Sequence, residues 1–121
     1  MAALIRPTLA VLLLSAACAS APTFADDCVA QVQAEQTRID GAQDVQRTRE
    51  AANDLQLNRT LCQGRLDLLD ARFSLADDFE ACRRKGVEFP EKMARALGDA
   101  SDKLTDEKAA WIRTCGPHMK D

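Results

Sequence analysis

Tyrosine is absent from this chain, and aromatic residues make up 4% of its 121 residues. β-Branched residues are sparse as well, so little in the sequence favours strands. Ala, Leu, Gln, Glu, Asp and Arg dominate, a composition weighted towards helix. Histidine occurs once, as His118, close to the C-terminus. Triad and Cys–His mechanisms need a base held beside a nucleophile, which one terminal histidine does not supply. No Cys-x-x-Cys pair is present, so a zinc site has little support. The longest apolar run, Leu9 to Leu14, is far short of the roughly 20 residues that span a bilayer. No basic block exceeds Arg83-Arg84-Lys85, and the net charge of −3 is spread over interspersed signs. That balance argues against nucleic acid or an anionic membrane surface as the main partner.

What is present begins with a secretion signal. Arg6 is the only charge before Asp26, an apolar run follows it, and small residues follow that. Thr23-Phe24-Ala25 suits a signal peptidase, which makes 1–25 a signal peptide and 26–121 the mature domain. A cut after Ala21 is the alternative. Leu14-Ser15-Ala16-Ala17-Cys18 also resembles a lipoprotein cleavage box. If Cys18 carries lipid, the protein is tethered to a membrane; otherwise it is free in the periplasm or secreted.

Removing the signal leaves four cysteines, Cys28, Cys62, Cys82 and Cys115. In a small exported domain an even count implies two disulfides. The periodicity between them predicts an all-α fold, a bundle of four or five short helices. The first starts at Asp26 or Asp27 and weakens at Gly41. A second stretch follows from Ala42 to Cys62, with Val45 and Leu55 inward and Gln46 to Glu50 exposed. The strongest helix covers 65–82, with Leu66, Leu69, Phe73, Ala76 and Phe79 in a stripe widened by Leu68 and Leu75. Lys85-Gly86 stops it. A short helix follows Pro90 and ends at Gly98, with Met93, Ala96 and Leu97 inward. The last starts behind Thr105 and ends at Cys115-Gly116-Pro117.

A helix over 65–82 holds its ends too far apart for a Cys62–Cys82 bond. Two pairings remain. Cys28–Cys62 with Cys82–Cys115 staples two hairpins that turn near Gly41 and Gly98. Cys28–Cys82 with Cys62–Cys115 ties neighbouring hairpins together. The first is favoured, because its two loops match in length and each holds a glycine near the middle.

The remaining constellations point away from chemistry. Asp67, Asp70, Asp77 and Asp78 read as a solvated helix face, not as an acid and nucleophile across a cleft. Cys115 to Met119 collects soft ligands, but Cys115 is already assigned to a disulfide. No cofactor, metal ligand or catalytic residue is expected. Trp111 reads as core filler or as a binding anchor. Arg47, Arg49 and Arg59, on a long polar stretch, are candidate partner-facing residues beside it.

Asp54-Leu55-Gln56-Leu57-Asn58 and the later Lys108-Ala109-Ala110-Trp111-Ile112-Arg113 resemble the pattern of a small secreted bacterial helical family. That family includes the LprI-type lysozyme inhibitors. The resemblance covers about a dozen residues and implies a helical inhibitor of an envelope hydrolase. The expectation is therefore an exported, non-enzymatic protein that binds another protein, as an inhibitor or immunity protein does. The alternative is an envelope structural or chaperone-like protein, in lipoprotein form if Cys18 is modified.

Overall fold

The computed structural model describes residues 21–120. Residues 1–20, with Cys18 and most of the expected signal peptide, lie outside them. The described residues are all-helical, but the helices number three: α1 (Phe24–Ala52), α2 (Arg59–Arg84) and α3 (Glu91–Met119). The expectation of four or five short helices is corrected. Gly41 lies inside α1 and Gly98 inside α3, and neither breaks its helix. Thr105 is likewise interior to α3, and Pro117 falls in its last turn.

Burial explains the continuity. α1 buries Cys28, Val32, Ile39 and Gln46, a narrow stripe repeating at four and then seven residues straight across Gly41. α3 buries Leu97, Leu104 and Cys115 across the polar stretch 99–103. A glycine inside a helix costs about 1 kcal/mol against alanine. Fully burying one large aliphatic side chain contributes about 1.5–3 kcal/mol. Each stripe holds two such side chains, Val32 and Ile39 in α1 and Leu97 and Leu104 in α3, so the helix continues. α2 carries the widest apolar face because it alone has two neighbours: it packs against α1 and α3, which make no close backbone approach to each other among the described residues. Leu69, Leu75 and Phe79 are buried there, and Leu66, Leu68, Phe73 and Ala76 half-buried.

The helix ends are locally specified. Thr23 caps α1 in a capping box with Asp26, so the helix starts ahead of Asp26. Asn58 caps α2, its side-chain oxygen accepting from the Leu61 N–H at 2.8 Å. α2 ends in a Schellman motif. The Val87 N–H donates to the Cys82 carbonyl and the Gly86 N–H to that of Arg83, with Gly86 at φ 85°. Val87 folds back into the core at 6% exposure. Phe89 packs edge-on against Phe79 beside it, ring centroids 4.7 Å apart.

The disulfides are Cys28–Cys82 and Cys62–Cys115, with Cα separations of 6.3 and 5.4 Å. The favoured pairing, Cys28–Cys62 with Cys82–Cys115, is thereby corrected. Its premise was a chain reversal at Gly41 and Gly98. With α1 unbroken, Cys28 stands at one end of a helix of 29 residues and Cys62 lies beyond the other. At 1.5 Å per residue that is about 36 Å from Cys28 to Ala52 alone, against the ~7 Å limit of a disulfide. Each observed bond instead closes the open end of an antiparallel helix pair, opposite its connecting loop.

Candidate functional site

The helices place their most unusual chemistry where α1 turns into α2. Residues 53–58 form that turn. The Leu55 N–H donates to the Glu50 carbonyl at 3.0 Å and the Asp54 N–H to that of Ala51 at 3.2 Å, which is a second Schellman motif. It departs from the first in two ways. Its left-handed residue is Asp54, at φ 54°, where glycine is usual, and Leu55 follows at φ 61°. Its apolar residue does not fold back: Leu55 is 76% exposed. The loop is nonetheless tightly held. The Gln56 N–H donates to the Asn53 carbonyl, and Asn53 Nδ2 donates to the Gln56 carbonyl at 2.7 Å.

The end of α3 lies against this turn. Trp111 is half-buried, and its Nε1 donates to the Cys62 carbonyl at 2.9 Å. Arg59 donates to the Met119 carbonyl at 3.2 Å. The Cys62–Cys115 bond, both residues fully buried, locks the two helices together at that level. Arg49 is exposed in the last turn of α1 and makes no ion pair among the described residues. Arg49, Arg59 and Trp111 therefore share one end of the molecule with the loop. Arg47 stands slightly apart, exposed and paired with Asp44 at 2.8 Å.

Beside the loop, α1 and α3 form the walls of an open trough of about 430 Å³ floored by α2. Arg47 and Trp111 line it, with Leu68, Leu69 and Ala110 as apolar floor and wall. Two ion pairs cross it. Arg65 of α2 grips Glu50 of α1 through Nε and a terminal nitrogen. Arg72 of α2 meets Glu107 of α3 at 2.6 Å. The Arg65 hydrogen bonds hold the Glu50 carboxyl below its ordinary pKa, against the opposing effect of burial. The same contact raises the Arg65 guanidinium.

Several of these residues stand where the sequence pattern does not place them. Gln46, expected in solvent, is 6% exposed, and its Nε2 donates to the Leu61 carbonyl at 2.8 Å and to Glu50 at 2.9 Å. Gly64 makes room for it: a Cβ there would stand 2.1 Å from Gln46 Oε1. The seven-residue step from Ile39 to Gln46 was the available signal. Leu55, Val45 and Ala96, expected inside, are exposed. Asp67, Asp70, Asp77 and Asp78 stand on exposed faces. Asp78 nevertheless lines one hollow with Glu35 of α1, whose carboxyl is pushed up in pKa by burial first and by Asp78 second.

No protein-family model matches the chain, and comparison with curated proteins and with solved structures finds no match.

Proposed function

We propose that this chain is an exported, non-enzymatic binding protein that occupies another protein's active site, as an inhibitor of an envelope hydrolase such as a lysozyme. The observation that supports this most is the convergence at one end of the fold. The 108–113 stretch, far away in sequence, reaches the turn that follows the 54–58 stretch: Trp111 bonds the Cys62 carbonyl, and the Cys62 N–H in turn bonds the Asn58 carbonyl. Those are the two stretches whose pattern resembles the lysozyme-inhibitor family. A rigid end held by a disulfide suits such a role, because little conformational entropy is lost on docking. The two disulfides also suit an oxidising compartment, consistent with export to a bacterial periplasm or beyond.

The test is expression with the native signal in a Gram-negative host, followed by purification from the envelope and titration against a c-type lysozyme and the host's own peptidoglycan hydrolases. The expected result is a one-to-one complex with one hydrolase and loss of that enzyme's turnover. Suppression of aggregation of many unrelated proteins, with no stoichiometric complex, would overturn the reading in favour of a chaperone-like envelope factor.

A further inference from the structure

We propose that the 53–58 loop is the element that enters the partner's cleft, with Leu55 as its apolar anchor and Arg49 set against a carboxylate of the cleft. This rests on the inhibitor reading above. The argument starts from the two Schellman motifs of the same chain. At the end of α2 the motif is built in its relaxed form, with a glycine at the left-handed position and Val87 buried behind it. At the end of α1 the same hydrogen bonds are made by Asp54 and Leu55, both left-handed without being glycine. The side chain that ordinarily seals the motif stands in solvent instead. Strained backbone of this kind persists only where the surroundings enforce it, and it concentrates at sites of recognition. Here the enforcement is visible: Asn53 ties the loop to itself, Asn58 ties it to α2, and Cys62 is bonded to Cys115 just beyond. The result is a pre-formed apolar projection.

Charge specifies the receiving surface. Arg49 sits in the last turn of α1, next to Glu50, whose carbonyl accepts from the Leu55 N–H. It is exposed and without an ion pair among the described residues. Glycoside hydrolases work with a pair of carboxylates flanking the scissile bond, in a cleft that also has apolar walls. A guanidinium delivered beside an aliphatic anchor matches that pair, because arginine can hold a carboxylate through two parallel hydrogen bonds.

The test places a benzophenone amino acid at one of three exposed positions: Gln56 in the loop, Arg47 at the trough, and Arg95 at the far end of α3. Each variant is produced in the full chain, with its own signal and disulfides, and illuminated in the envelope. Affinity of the identified partner is then measured for the wild type, Leu55→Asp and Arg49→Glu. The inference expects cross-linking from position 56 into the catalytic cleft of a hydrolase, none from 95, and at least a tenfold loss of affinity for Leu55→Asp. A hydrolase that cross-links only from position 47, and binds Leu55→Asp as tightly as the wild type, overturns the loop assignment and leaves the inhibitor reading intact. Cross-linking from 56 to a protein that is not a hydrolase overturns the inhibitor reading while keeping the loop as the docking element. Absence of any cross-linked partner overturns both.

Discussion

Two glycines of this chain look alike in sequence and do opposite things. Gly41 lies in the middle of α1 with nothing within 4 Å of where a Cβ would sit. Gly64 lies in the first third of α2 with the buried Gln46 amide where its Cβ would go. Gly41→Ala should therefore stabilise the protein by about 0.5–1 kcal/mol, the helix-propensity gain alone. Gly64→Ala gains the same propensity but displaces a buried amide bonded to Leu61 and Glu50. Leaving those groups unsatisfied costs about 1–3 kcal/mol, so a net loss on the order of 1–2 kcal/mol follows. Urea unfolding of both variants checks the pair, and equal signs would refute the account. At Glu35 the sign depends on pH. Its folded pKa is raised, by burial and then by Asp78. The folded state thus holds its proton more tightly than the unfolded chain, and the group costs stability above its ordinary titration range. Glu35→Gln should stabilise at pH 7 by a few tenths of a kcal/mol, given its partial exposure. The advantage should vanish as pH falls below Glu35's ordinary pKa. Glu50 behaves in the reverse sense. Its lowered pKa contributes stability at neutral pH that is lost on acidification through the folded value.

At the scale of the helix and its termini, the contrast between the two Schellman motifs sets a further expectation. Asp54→Gly relieves a left-handed aspartate, worth about 1 kcal/mol, without touching Leu55. Its melting temperature should rise while its affinity for a partner holds or improves slightly. A fall in melting temperature would mean that the Asp54 side chain supports the loop in a way its backbone geometry does not reveal. The helices also explain what could be read beforehand. The core of α2 was legible because this helix is sandwiched between two others, and a wide stripe is hard to miss. The stop at Lys85-Gly86 was legible because glycine there is required by a positive φ. The lengths of α1 and α3 are not, because the backbone of each lies close to α2 alone and so needs only a narrow stripe. One member of the α1 stripe is a glutamine, which looks like surface until Gly64 is seen opposite it. Helices that run unbroken through Gly41 and Gly98 move the turns, and the turns decide which cysteines can pair. Leu55 is where sequence and structure part at the proposed docking end: its spacing places it in the core, and it stands in solvent. A leucine at helical spacing gives no sign that the helix has already ended in a left-handed pair.

Over the whole molecule, α1 and α3 make no close backbone approach to each other among the described residues, and each disulfide ties one of them to α2, so the two disulfides guard different halves. Cys28–Cys82 and Cys62–Cys115 close rings of nearly equal span, with sequence separations of 54 and 53. In the chain-entropy account each closure is worth about 4 kcal/mol, against a typical domain stability of 5–15 kcal/mol. Removing either bond as a double alanine variant should lower stability by a similar amount. The location of the damage should differ. Trp111 reports on one half alone, because its indole is bonded to the Cys62 carbonyl, next to the Cys62–Cys115 bridge. In Cys62→Ala/Cys115→Ala the last turns of α3 lose their covalent tie to α2. Tryptophan fluorescence should shift to the red before global unfolding, and amides of 111–119 should exchange early. In Cys28→Ala/Cys82→Ala the same probes should stay native until the whole domain unfolds, while the first turns of α1 exchange instead. The proposed docking end would then survive the second change and fray in the first, so on that proposal partner affinity should separate the two variants even where their melting temperatures coincide. Identical exchange patterns would show that the three helices unfold as one cooperative unit, and that α2 transmits the loss of either staple across the full width of the fold.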